Sequence, residues 1–278
     1  MAYIRLFEHS NITGRQLFID HPVPQRYLLA TSGFLNEMEF KNITSSVRLG
    51  ASPTEVFNMC ILFENDRFGG KFKVFAFNKN RDIISLPYFN DLTSSVLLLS
   101  HDPAPYRLIL NIRQLAGNRI NASIDKQLQD IPGVTRNGDV LLKFAIDVYE
   151  IGQFGNDLIK VEVPLKIHTI FPFNKYQARI GYYVDLFITN KQILKASVVG
   201  WWYWIEGGFF AGSIENRLRS HAKTGVPLIE SELNMMLHEF NWHQWNDVYL
   251  LPGLTSNIDA DYQGHIDDDC SIVLSYLE

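Results

Sequence analysis

Two short segments of this chain concentrate oxygen atoms at matching positions. They are Lys41-Asn42-Ile43-Thr44-Ser45-Ser46 and, 49 positions on, Asn90-Asp91-Leu92-Thr93-Ser94-Ser95. Each gathers amide, carboxylate, hydroxyl and carbonyl oxygens into one tight loop, the donor set that hard cations such as calcium take. One such segment alone reads as a capping turn, because Asn and Asp side chains bond their own backbone. Here each segment follows a second repeated feature. Phe7-Glu8-His9-Ser10-Asn11-Ile12-Thr13-Gly14 aligns with Phe63-Glu64-Asn65-Asp66-Arg67-Phe68-Gly69-Gly70 at an offset of 56. An aromatic that ends a strand can fold over its hairpin while the glycine takes a backbone conformation closed to side chains. The pairing of hairpin and loop, twice over, favours a cation site over two unrelated turns.

Other arrangements carry less. His238 and His243 are spaced by five, not the four that put two histidines on one helix face. Asn257-x-Asp259-x-Asp261 begins like a calcium-binding helix–loop–helix, but Tyr262 stands where its sharp turn needs glycine. There is no nucleophile elbow, phosphate-binding glycine loop or C-x-x-C pair, and the two cysteines, Cys60 and Cys270, lie 210 positions apart. The chain reads as non-enzymatic. The remaining unusual segment is Trp201-Trp202-Tyr203-Trp204, followed by Ile205 and, further on, Phe209-Phe210. In a strand, Trp202 and Trp204 share one face and Trp201 and Tyr203 the other, so both faces are bulky and apolar. This reads as a buried central strand or as a surface for an apolar ligand or protein partner.

The elements that must position these residues differ between two parts of the chain. Residues 1–100 show period-2 runs every eight to twelve positions, among them Tyr3–Phe7, Gln16–Ile19, Ser46–Leu49, Cys60–Phe63, Phe72–Phe77 and Ser95–Leu99. That spacing predicts a β-sandwich or barrel. Ser100–Pro105 reads as a linker. From 106 to 278 the pattern predicts an α+β domain. It has a strand from Tyr106 to Ile112, a helix over 118–131, and an antiparallel meander of four long strands over 138–151, 158–171, 177–189 and 192–205. Two closing helices follow, Phe209–Ala222 and Pro227–Phe240, making about three in all. The acids of the last 25 residues (Asp259, Asp261, Asp267, Asp268, Asp269, Glu278), with no Lys or Arg among them, read as a solvated segment.

Residues 2–100 resemble the βγ-crystallin superfamily of the calcium-binding type. Its domains pair two Greek-key motifs, each marked by aromatic-x-x-x-x-aromatic-x-Gly. Phe63, Phe68 and Gly70 satisfy it, and Phe7 and Gly14 do so with Ile12 in place of the second aromatic. Calcium-binding members carry Asn/Asp-Asn/Asp-x-x-Ser/Thr-Ser. Asn90 to Ser95 fits throughout, whereas Lys41 departs at the first position of the other copy. The resemblance implies a mainly β fold with a double Greek-key sandwich and two calcium sites built reciprocally from both motifs. In them Glu8 or Glu64 and Ile43 or Leu92 give carbonyls, Asn42, Asn90 or Asp91 side-chain oxygen, and Ser45 or Ser94 a hydroxyl. Lys41 implies one weaker site, expected at the first loop. The element order of residues 106–278 is loosely similar to tubular lipid-binding domains.

Composition bounds the rest. The 278 residues are 46% hydrophobic and 20% charged with net charge −5 and no basic stripe, so a nucleic-acid footprint is not expected. No apolar run approaches the roughly 20 residues a membrane helix needs. No signal peptide opens the given chain, so a soluble, cytoplasmic protein is the default expectation. The expected function is a non-enzymatic calcium-binding protein with a second domain for ligand or partner binding. The alternative is a lipid carrier, or a toxin or virion assembly component in which the crystallin-like part serves stability or attachment.

Overall fold

The computed structural model describes residues 3–20, 27–51, 57–101, 106–146, 157–168, 175–206, 211–267 and 269–276. Along the chain run β1 (Tyr3–His9), β2 (Thr13–Asp20), β3 (Tyr27–Ala30), α1 (Ser32–Glu37), β4 (Ser46–Gly50), β5 (Phe57–Asn65), β6 (Gly69–Phe77), β7 (Arg81–Ile83) and β8 (Ser95–His101). There follow β9 (Tyr106–Asn111), α2 (Ile112–Leu128), β10 (Val134–Arg136), β11 (Leu141–Ile146), β12 (Asp157–His168), β13 (Lys175–Ile188) and β14 (Leu194–Ile205). The chain closes with α3 (Ala211–His238), β15 (Asp247–Pro252), β16 (Tyr262–His265) and β17 (Cys270–Tyr276). The protein is mainly β, with several antiparallel sheets.

The chain divides into two units. Unit 1 comprises residues 1–105, 146–156 and 255–268, and unit 2 comprises 106–145, 157–254 and 269–278. In unit 1 one sheet has the order β2-β1-β4-β7 and the other β16-β6-β5-β8-β3. The third strand of each repeat leaves its own sheet. β3 pairs with β8 of the second repeat, and β7 pairs with β4 of the first. This exchange is a double Greek key. Alternation places Ile4, Leu6, Val47, Leu49, Cys60, Leu62, Phe75, Phe77, Val96 and Leu98 in one fully buried core. The repeated glycines fit their expected role: Gly14 has φ +83° and Gly70 φ +76°, where a Cβ is disfavoured.

Two expectations change here. The separation at 100/106 does not hold for the tail, because β16, from residues 262–265, adds a fifth strand to the edge of β6. The acidic segment is also not simply solvated. Asp261 takes a paired contact from Arg81, with Arg81 Nη1 2.7 Å from Oδ1, and in unit 2 Asp269 pairs with Arg113 at 3.2 Å. The sequence carries Arg81 and Asp261 180 positions apart, so no local pattern announces the pair.

Unit 2 contains the sheet β10-β12-β13-β14, with β11 also on β12, and a three-stranded sheet β15-β17-β9. The meander β12–β13–β14 is as expected, but residues 147–156 and 169–174, where its outer ends were placed, lie outside the described residues. Two helices, not three, belong to unit 2 among the described residues; the third, α1, lies in unit 1. α2 starts earlier than the 118–131 pattern indicated, because Asn111 caps it by accepting from the Arg113 and Gln114 amides. The two closing helices are one, α3, with Pro227 inside it. A proline removes one helical donor. Leu218, Ala222, Ile229, Leu233 and Leu237 nevertheless form one fully buried stripe across it, and that packing carries the helix through.

Candidate functional site

The two oxygen-rich loops of unit 1 meet and interlock. The Asp91 amide donates to the Thr44 carbonyl (3.0 Å), and the Asn42 amide donates to the Thr93 carbonyl (2.9 Å). Asn42 and Asp91, at equivalent positions, both take left-handed backbone (φ 58° and 56°), a conformation that Asn and Asp tolerate best after glycine. Each loop is also tied to its own hairpin: the Ser45 amide donates to the Phe7 carbonyl and the Ser94 amide to the Phe63 carbonyl, both at 2.8 Å. The last serine of each motif closes the hairpin turn. Ser46 Oγ donates to the His9 carbonyl and accepts from the Ile12 amide; Ser95 Oγ does the same with Asn65 and Phe68. Phe63 and Phe68 meet edge-on, centroids 5.5 Å apart, so the second motif's two aromatics do fold over their hairpin.

Crossed loops produce two corners of unequal chemistry. In the first, Ser45 Oγ lies 2.7 Å from the Glu8 carbonyl and 3.0 Å from Asp91 Oδ1. One hydroxyl proton faces two acceptors there, so oxygens outnumber the protons available to them. Asn90 Nδ2 holds the other carboxylate oxygen of Asp91 at 2.8 Å, which fixes the carboxylate's orientation. In the second corner, Ser94 Oγ donates to Asn42 Oδ1 at 2.6 Å. Lys41 Nζ lies 3.0 Å from Asp66 Oδ1 on the hairpin beside it. The Lys41 ammonium thus meets the second hairpin, on the side of Ser94 and Asn42 and not at the first loop's own serine, because crossing the loops sends residues 41–42 toward that hairpin.

The other candidates frame these corners. The Glu8 side chain is engaged by Arg15, Nε to Oε2 at 3.0 Å, and that hydrogen bond holds its carboxyl below the usual range. Glu64 accepts from the Lys71 amide at 3.0 Å. Ile43 and Leu92 pack their side chains on the unit 1 core and so anchor the loops. Among the described residues no three His, Cys, Asp or Glu side chains are grouped so as to hold a metal. The first corner is made instead of a carbonyl, a hydroxyl and one carboxylate.

The tryptophan strand divides its residues differently from the expectation. Tyr203 donates to Glu215 of α3 (2.9 Å), which raises the phenol's pKa. On the other face, Glu162, Gly181 and Trp202 form one cross-strand row. A Cβ on Gly181 would come within 2.1 Å of the Trp202 ring, so the indole occupies the space that only glycine leaves. Lys160 Nζ stands 4.8 Å from that ring's centroid, and the Arg179 guanidinium 5.8 Å from the Trp204 ring. Glu162, only 2% exposed, receives Arg179 at 2.8 Å, Lys160 at 3.4 Å and Lys143 at 3.7 Å. This face is therefore covered by cations rather than being apolar. Trp204 remains 46% exposed. Residues 207–210, including Phe209 and Phe210, lie outside the described residues.

No family model matches this chain, and no curated protein does. A solved structure from work on the evolution of the eye lens βγ-crystallin domain fold matches at 19% identity, covering 36% of this chain and 87% of that chain, with a TM-score of 0.28. The exchange of β3 and β7 between sheets stands on the strand pairings themselves. No helix among the described residues is long and apolar enough to cross a membrane.

Proposed function

We propose that this chain is a non-enzymatic calcium-binding protein, and that the corner of Glu8, Ser45 and Asp91 holds the ion. The convergence of two acceptor oxygens on Ser45 Oγ, with one proton between them, supports it. Hard cations take such oxygens, and one carboxylate with neutral donors and water suits moderate affinity. Bound calcium would supply charge to cross-link the two motifs. The ion's role is structural: a ligand that binds only the folded state stabilises it by about 2.7 kcal/mol at one hundred times its Kd. Thermal unfolding of the full chain with millimolar calcium, against equal magnesium, tests this. A rise of several degrees with calcium alone is expected; identical melting in both would overturn the reading.

The second unit is assigned a ligand- or partner-binding role. The observation that favours it is Trp204, exposed beside Arg179 on a sheet face whose neighbouring Glu162 is fully charge-compensated. An indole paired with a guanidinium is a combination enriched at protein contacts. A carrier of apolar ligands would instead be expected to keep this ring enclosed.

A further inference from the structure

We infer that Lys41 is a built-in substitute cation for the second corner, so that the chain binds one calcium ion and not two; this rests on the calcium reading above. The two corners are equivalent in backbone. Their hydrogen bonds from Ser45 to Phe7 and from Ser94 to Phe63 have the same length, as do the serine clamps at Ile12 and Phe68. They differ in charge at two matched positions. Where the second motif has Asn90, which steadies the Asp91 carboxylate, the first has Lys41. Where the first hairpin has Ser10, the second has Asp66. Both hairpins carry a matched pair, Arg15 with Glu8 and Lys71 with Glu64, and Lys41 and Asp66, in contact at 3.0 Å, add a further ion pair at the second corner that the first, with Asn90 and Ser10 there, does not have.

The consequence follows from charge. The first corner offers the Asp91 carboxylate, held by a neutral amide, to an incoming cation. The second offers the neutral Asn42 amide; of the two carboxylates on its hairpin, Asp66 pairs with the Lys41 ammonium, and Glu64 accepts from the Lys71 amide and lies 3.9 Å from its ammonium. A divalent ion there would meet like charge from Lys41 and gain no free carboxylate. Ser94 Oγ donates there to one acceptor among the described residues, Asn42 Oδ1, whereas Ser45 Oγ faces two. The first corner is therefore the one that gains from a bound cation, and Lys41 serves the second in its place.

Equilibrium dialysis of the full chain with radioactive calcium, read together with the melting temperature, tests this. Wild type is expected to bind one ion. Lys41→Asn, which installs the residue found at the matching position 90, is expected to bind two, the second at least tenfold tighter than any second ion on wild type. The double variant Lys41→Asn, Asp91→Ala is expected to retain one. Two ions on wild type, or one on a folded Lys41→Asn, would overturn the role of Lys41 while leaving calcium binding intact. No ion on either protein would instead overturn the calcium reading itself.

Discussion

Asp91 lies 3.0 Å from the hydroxyl of Ser45, although the two residues belong to different repeats and stand 46 positions apart. Neither motif thus completes a corner alone. The carboxylate of the second loop serves the first hairpin, and the amide of the first loop serves the second. Substitutions at Asn42 and Asp91 are therefore expected to act on the corner of the opposite hairpin, a relationship that no reading of one motif in isolation yields.

The Thr44 and Thr93 hydroxyls occupy equivalent positions, are buried, and have no hydrogen-bond partner among the described residues. A buried unpaired hydroxyl carries a desolvation cost. Thr93→Val is expected to raise stability by about 1 kcal/mol, measured by urea unfolding. A loss of similar size would show that the hydroxyl has a partner such as ordered water.

The edge strand β16 holds the side of β6 from a distant part of the sequence. Proline cannot donate to a ladder. Gln263→Pro is expected to lower the hydrogen-exchange protection of the Lys71–Val74 backbone while leaving that of β5 intact. Unchanged protection along β6 would mean that the added strand contributes nothing to the sheet's stability.

In unit 2, Gly181→Ala would drive a methyl group into the Trp202 indole. Overpacking of this kind costs about 1–3 kcal/mol. We expect lower stability and a red-shifted tryptophan emission, as the ring is lifted off the sheet. Unaltered emission together with unaltered stability would contradict the packing described.

Acid should weaken the protein in a particular direction. A hydrogen bond from Arg48 holds the Asp82 carboxyl below its ordinary range, and one from Arg136 does the same for Asp125. A carboxylate depressed in the folded state stabilises above its unfolded pKa, and that contribution is lost as pH falls through the depressed value. Both carboxylates are open to solvent, at 42% and 49% exposure, so each effect is small. Melting temperature should fall below about pH 4, and Asp82→Asn should flatten part of that fall. A variant that parallels wild type throughout would contradict the assignment.

How much of this was legible depended on the range of the interactions. The hairpins at Phe7–Gly14 and Phe63–Gly70 were readable because a left-handed glycine and its aromatic lie within one turn. The alternation of Val161, Val163, Leu165 and Ile167 likewise gave β12, since one face of a sheet leaves a period of two. What sequence could not give was pairing at a distance. β16, the Arg81–Asp261 contact and the crossing that sends Lys41 to Asp66 depend on the fold that brings them together. Two local signals were present but missed. Asn111 followed three positions later by Gln114 resembles a helix-capping pattern, and Cys270–Tyr276 is rich in strand formers yet reads as an acidic tail when Asp267–Asp269 are weighed first. The cover of the face that Trp202 and Trp204 share is not legible locally, because Lys160 and Arg179 come from other strands.

Calorimetric titration of calcium into wild type and Asp91→Ala tests the central claim most directly, since only the first corner uses that carboxylate. The account predicts saturable binding by wild type, preferred over magnesium, and at least a tenfold loss of affinity in Asp91→Ala, about 1.4 kcal/mol. Equal binding by the two folded proteins, or no binding heat from wild type at millimolar calcium, would contradict it.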